Sequence, residues 1–234
     1  MKISRKNNLR INFVLNELIP PFIRDCPFIM WPAFKLMFGK KAHLFFDFRK
    51  KVYDMTDQEF ARINADICDV IIERDTDLNQ ECLDRIIREI NGVKLLEVGC
   101  GGGFLAKKLA RNNNVDAVDV YISDQLSGES HENLRFHQAS SEALPFDDKS
   151  FDIVVCTHTL EHVRDIQKTL AELRRVARNK LVIVVPKERP ALYTFSLHIH
   201  FFPYEFSLLS VVGRRTGQSL ENLGGDWFYT ESYH

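Results

Sequence analysis

The run Leu95-Leu96-Glu97-Val98-Gly99-Cys100-Gly101-Gly102-Gly103-Phe104 constrains this chain more than any other stretch, because an apolar strand stops at an acid and opens into glycines. A backbone that turns so tightly beside a ligand must do without Cβ atoms. Phe104 to Arg111 reads as a helix, whose free N–H groups and positive dipole end face whatever sits above the loop. Together these features describe a nucleotide-type pocket at the carboxyl end of a first strand. Val115-Asp116-Ala117-Val118-Asp119 reads as a second strand ending in an acid sixteen residues after Gly103, where a carboxylate can accept from both ribose hydroxyls.

The glycine spacing selects among nucleotides. A dinucleotide fingerprint places its third glycine three positions after the second, whereas here Gly99, Gly101 and Gly103 alternate behind Glu97. The pattern Glu97-x-Gly99-x-Gly101-x-Gly103 resembles motif I of the class I S-adenosylmethionine (SAM) dependent methyltransferases, of the type 11 kind. The stretch from Leu144-Pro145-Phe146 through Phe151-Asp152-Ile153-Val154-Val155-Cys156-Thr157 to Leu160-Glu161-His162-Val163 resembles the third loop, fourth strand and following helix of the same family. The resemblance covers about Ile90 to Pro186 and implies a Rossmann-like α/β fold, a mainly parallel sheet with helices on both faces. SAM is the cofactor it implies.

The same resemblance places Glu97 near the methionine ammonium and Cys156 or Thr157 near the methionine moiety. Adenine recognition departs from the family: an acid is common four positions before Leu-Pro-Phe, and here that position is Ser140, with Ser141 or Glu142 as alternatives. His158, Glu161 and His162 stand at i, i+3 and i+4 at the expected start of a helix, which puts them on one face beside the expected sulfonium. Quinone-pathway O-methyltransferases that this chain resembles hold a metal with Glu, Glu and His there. Here the first of these is His158, and two histidines with a carboxylate still make a divalent-metal set. Because Leu-Glu-His-Val occurs in many members of the resembled family whose Glu and His cap the helix and brace the pocket, the expectation is no metal. His198-x-His200 would project two imidazoles to one side of an extended segment. If the acceptor is a hydroxyl, its general base comes from His158, His162, His198 or His200.

A chain of 234 residues, 45% hydrophobic and 27% charged, suffices for one α/β domain with additions. A net charge of −1 provides no global attraction to phosphate backbones, which argues against a nucleic-acid acceptor. Five cysteines, Cys26, Cys68, Cys82, Cys100 and Cys156, lack the pairing of zinc sites or secreted scaffolds, and a reducing cytoplasm fits them. No run is apolar for long enough to span a bilayer.

Residues 1–78 read as a helical extension ahead of a SAM-binding domain at 79–234. The extension carries nine phenylalanines and is broken by prolines at 20, 21, 27 and 32. Thr56-x-x-Glu59 predicts a capping box, and Phe60, Ile63, Ile67, Val70 and Ile71 predict a helix from about Asp57 to Glu73. Asp77 or Asn79 caps the next helix, through Ile90. The core is expected as strand 94–98, helix 104–111, strands 114–118, 134–138 and 151–156, helix 163–177 and strand 180–185. A helix between Asp119 and Leu134 is expected to be shortened or missing, and the C-terminal hairpin incomplete. Lys168, Arg174, Arg175 and Arg178 read as a solvated face.

The expected function is methyl transfer from SAM to a small molecule or glycan. The extension resembles that of bacterial polysaccharide-associated methyltransferases, which points first to a sugar hydroxyl and second to a quinone-like or small aromatic hydroxyl. The extension would act as a lid that excludes water and holds apolar acceptor groups. Two further readings are a SAM-binding module without catalysis, and a peripheral membrane contact through residues 11 to 48.

Overall fold

The apolar run that ends at Val98 is an interior strand of a seven-stranded sheet in the computed structural model, which describes residues 3–4, 19–68, 72–73, 75–129, 132–193 and 197–233. In chain order the strands are β1 (Ile3–Ser4), β2 (Ile72–Glu73), β3 (Lys94–Val98), β4 (Asn114–Asp119), β5 (Leu134–Gln138), β6 (Phe151–Thr157), β7 (Ala177–Pro186), β8 (Gln218–Leu223) and β9 (Asp226–Ser232). The helices are α1 (Pro21–Arg24), α2 (Pro27–Phe38), α3 (Ala42–Lys51), α4 (Asp57–Cys68), α5 (Gln80–Glu89), α6 (Phe104–Leu109), α7 (Asp124–Gly128), α8 (Ile166–Val176) and α9 (Glu205–Val212). The chain divides into one unit of residues 75–187 and 200–234 and another of residues 1–74 and 188–199.

The first of these units holds the sheet, in the order β5-β4-β3-β6-β7-β9-β8. The pairs from β5 to β7 are parallel, while β9 runs antiparallel to both β7 and β8. Alternation along the strands sends residues to two buried faces. Leu96, Val98, Val154, Cys156, Leu181 and Ile183 meet Leu170 and Leu173 of α8 on one side. Leu95, Val155, Val182 and Val184 meet Cys82, Leu83 and Ile86 of α5 and Leu105 and Leu109 of α6 on the other. A sheet covered on both faces demands the near-continuous apolar runs seen in β3 and β7.

Local signals account for most boundaries. Asn79 is the N-cap of α5, its side chain accepting from the Cys82 N–H at 2.9 Å. The helix after Asp119 is present but short: α7 has five residues, capped by Ser123. The helix expected at 163–177 starts later, because Asp165 accepts from the Lys168 N–H and makes Ile166 the first helical residue. His158, Glu161 and His162 therefore lie in a turn-containing loop after β6 and not on a helix. The C-terminal hairpin, expected to be incomplete, is whole: β8 pairs with β9 from Gln218–Glu231 to Leu223–Asp226 around Gly224-Gly225. Two adjacent glycines with positive φ, Gly224 and Gly225, make the tight reversal that closes it.

In the second unit the capping box forms as expected, with the Glu59 carboxylate accepting from the Thr56 N–H at 2.8 Å and Thr56 Oγ1 accepting from the Glu59 N–H at 3.2 Å. The helix it starts, α4, ends at Cys68. Val70 and Ile71 lie outside the described residues, and Ile72–Glu73 form a two-residue parallel pairing with Ile3–Ser4. Pro21 and Pro27 open α1 and α2, but Pro32 sits inside α2 and does not break it. Phe34, Phe45 and Phe48 are buried in a core completed by Tyr193 and Leu197. The 188–199 segment is held there by Arg24 donating to the Pro190 carbonyl at 2.7 Å, Asp25 accepting from the Leu192 N–H at 2.9 Å, and Phe46 stacking on Tyr193 at 4.0 Å. Phe13 lies outside the described residues.

Candidate cofactor and acceptor site

The carboxyl edge of β3 turns at Gly99, whose N–H and that of Cys100 both donate to the Val118 carbonyl. A Cβ at Gly99 would lie 1.8 Å from Thr159 Oγ1, and one at Gly103 would lie 2.8 Å from the Phe136 ring. These two glycines are required by packing as well as by their positive φ. By contrast, a Cβ at Gly101 or Gly102 would meet no atom within 4 Å, so the loop's outer face is open. Thr159 Oγ1 donates toward the Val98 and Thr157 carbonyls at 3.2 and 3.0 Å, tying the ends of β3 and β6 together beneath the loop. Sequence reasoning missed Thr159, although it stands two residues past Thr157 in the block that carried the resemblance.

Glu97 is buried, one oxygen accepting from the Ala106 N–H while Oε2 has no hydrogen-bond partner. Burial, and then the charge of Asp119, push its pKa well above the ordinary carboxylate value. Asp119 ends β4 half-buried, with Oδ2 accepting from the Gly101 N–H at 2.8 Å and Oδ1 from the Tyr121 N–H at 3.3 Å. Burial raises its pKa more than these backbone hydrogen bonds lower it. Two desolvated carboxyls beside an open glycine loop suit a ligand bearing both hydroxyl donors and a cationic group. SAM, with its ribose diol and ammonium, fits that donor set.

The remaining cofactor candidates differ in exposure. Ser140 is exposed and its Oγ accepts from the Glu142 N–H at 3.2 Å, whereas Ser141 is buried with its hydroxyl 3.4 Å from Thr169 Oγ1. The Glu142 carboxylate accepts from the Asp165 N–H at 3.1 Å. Cys156 and Thr157 are buried at the end of β6, and desolvation drives the Cys156 thiol pKa upward.

Of the histidines, His158 has φ +49 and its N–H donates to the Val184 carbonyl. Its ring lies between two acids, Nδ1 3.3 Å from Glu161 and Nε2 3.3 Å from Asp226. Burial alone would lower its pKa, but the two carboxylates beside it, Asp226 and Glu161, push it up to about 9. Asp226 also accepts from Asn79 Nδ2 at 2.8 Å. The half-buried His162 donates its backbone N–H to the Thr159 carbonyl at 2.9 Å. His200 Nε2 is 2.9 Å from the Val163 carbonyl, and burial lowers its pKa, so the ring is neutral with Nε2 as donor. His198 instead belongs to the helical unit, where its Nδ1 meets Glu188 and its carbonyl accepts from Arg49. The two alternate histidines thus take separate partners.

Residues 96–185 match the family model described as Methyltransferase domain, Methyltransf_11. An uncharacterized methyltransferase of Bacillus subtilis, YcgJ, is 32% identical over 118 residues, 46% of this chain and 47% of that protein. The ubiquinone biosynthesis O-methyltransferase of Methylococcus capsulatus is 37% identical over 95 residues, 37% of this chain and 40% of that protein. The chain spans about half the length of the curated relatives it matches. Among solved structures, a SAM dependent methyltransferase from Aquifex aeolicus superposes with TM-score 0.51 at 20% identity, over 75% of this chain and 97% of that one, a likeness of fold.

Proposed function

Because this chain belongs, through residues 96–185, to the class I methyltransferase family, we propose that it binds SAM at the carboxyl edge of β3 and β4 and transfers the methyl group to a small-molecule hydroxyl. The observation that carries this reading is the pairing of Glu97, with its unpartnered buried oxygen, and Asp119 beside the open loop at Gly101 and Gly102. In this reading Asp119 receives the ribose hydroxyls and Glu97 the methionine ammonium, with Cys156 and Thr157 beside the methionine chain. Ser140, Ser141 and Glu142 are assigned to the adenine side, Ser140 being the exposed hydroxyl among them. Bound SAM supplies an electrophilic methyl on a sulfonium leaving group. The protein's contribution is to align the acceptor and to exclude water, and the lid role of residues 1–78 belongs to this proposal.

A hydroxyl acceptor must lose a proton. His158 is held as a cation between two acids, which suits donation and charge balance. His200 is neutral and serves as the proton acceptor in this proposal. His162 and His198 remain candidate groups. The activity named for the Methylococcus capsulatus relative, ubiquinone biosynthesis O-methylation, favours a quinone-like or phenolic hydroxyl over the sugar hydroxyl expected first from the sequence.

Asp119→Ala is expected to weaken SAM binding roughly tenfold to a hundredfold, since hydrogen bonds to a charged group are worth about 1.5–3 kcal/mol. Titration calorimetry on the folded variant measures this, and unchanged affinity removes Asp119 from the site. Incubating the chain with SAM and separate phenolic and sugar acceptors tests transfer, read as S-adenosylhomocysteine formed. SAM binding without turnover on either class leaves a binding module.

A further inference from the structure

We propose that the outward face of α2 is a docking surface for an anionic lipid bilayer. This helix is apolar on two opposite sides. Met30 and Phe34 are buried in the phenylalanine core of the helical unit. On the other side, Phe28, Ile29, Pro32 and Leu36 recur at i, i+1, i+4 and i+8, with Trp31 at the border, and all five are exposed. Phe28 is 88% exposed and Leu36 89%, while Phe22, at 78%, extends the apolar surface into α1. A helix with a second apolar stripe facing solvent presents a surface that water does not favour.

The charge around the stripe identifies the occupant. No Asp or Glu occurs between Asp25 and Asp47, whereas Lys35, Lys40 and Lys41 do. Lys35 stands within the stripe at i+7, its ammonium 6.0 Å from the Trp31 ring centroid. Lys40 is exposed in the single 3₁₀ turn that follows the helix. An aromatic and aliphatic stripe bordered by lysines and free of acids matches the interface of an anionic membrane: the rings enter the headgroup boundary, and the ammonium groups meet lipid phosphates. A protein partner with an apolar groove would match the rings but would need its own acidic rim. No helix among the described residues is long and apolar enough to cross a membrane, so the contact is peripheral. None of these residues belongs to the cofactor site, so the proposal does not rest on SAM binding.

The test is co-sedimentation of the full chain with phosphatidylcholine vesicles with and without phosphatidylglycerol. Binding is expected only to the anionic vesicles, and it is expected to fall in about 1 M salt, where the Debye length is near 3 Å. Phe28→Ser with Leu36→Ser is expected to weaken binding at least tenfold. Lys35→Glu with Lys40→Glu is expected to weaken it more than tenfold, since one lysine charge near an anionic surface is worth about fivefold. Circular dichroism and the thermal midpoint check that the variants fold. In the unaltered chain, a lipid-borne quencher is expected to dim Trp31, which is exposed, and to spare the buried Trp227. Absence of vesicle binding, equal binding to both vesicle types, or folded variants that bind as the parent overturns the proposal. So does a concentration-dependent dimer, abolished by the Phe28/Leu36 variant, in a chain that ignores vesicles.

Discussion

Glu97 shows how one residue carries information that its neighbours in sequence do not. As the residue before Val98 in a buried strand it ought to be apolar. It remains an acid whose second oxygen has no donor and which is crowded electrostatically by Asp119. With its pKa raised well above the ordinary value, the carboxyl holds a proton over part of the range in which a free one would have lost it. A cationic ligand favours the carboxylate, so SAM binding is expected to release a proton. Calorimetry in two buffers of different ionisation enthalpy reads that proton directly, and affinity is expected to fall as pH falls. Identical heats in both buffers would place the ammonium elsewhere. The neighbouring glycines divide by cause: Gly99 and Gly103 accommodate Thr159 and Phe136, while Gly101 and Gly102 keep the loop open.

Among the elements, the last strand is more firmly tied than its position in the chain suggests. Glu231 of β9 is buried and accepts from Arg174 of α8, from Tyr229 Oη at 2.8 Å and from Tyr233 Oη at 2.7 Å. Burial would raise its pKa, but the Arg174 hydrogen bond and the two tyrosines bring it below the ordinary value. Arg174, read from sequence as one of a solvated run, is therefore the partner of a buried acid. Arg175 likewise donates to Glu172 at 2.7 Å and to the Phe146 carbonyl at 2.7 Å. Removing one member of a buried pair strands the other, so Glu231→Ala is expected to destabilise the fold by about 3–5 kcal/mol in urea titration. Pairing it with Arg174→Met is expected to recover part of that loss. A cost near 1 kcal/mol for the single change would mean the pair behaves as an exposed one.

At the scale of the whole molecule, His158 links three parts of the sheet unit: the loop after β6, the carbonyl of Val184 in β7, and Asp226 at the start of β9. Its pKa rises from 6.5 unfolded to about 9 folded, so its contribution to stability is fully present below pH 6.5 and is lost as pH rises through 9. The thermal midpoint of the protein is expected to decline between those two values, and His158→Gln is expected to lack that step. A variant that declines in parallel with the parent removes His158 as its source.

Signals confined to a few residues are legible without the fold. The alternating glycines behind an acid, the Thr56–Glu59 box, the Asn79 cap and the apolar runs of the central strands all depend on backbone conformation within a turn or two, which neighbouring residues control. That is enough to establish a Rossmann-like sheet and to single out Glu97 and Asp119. Other features depend on residues far apart in sequence. Arg174 finds Glu231, His158 finds Asp226, Gly99 accommodates Thr159, and the 188–199 segment completes a phenylalanine core begun more than a hundred residues earlier. A side chain's charge state and burial are properties of what surrounds it in space. The sequence by itself therefore determined the glycine loop's backbone, and only the tertiary structure decided which of the chain's acids and histidines are paired, buried or charged.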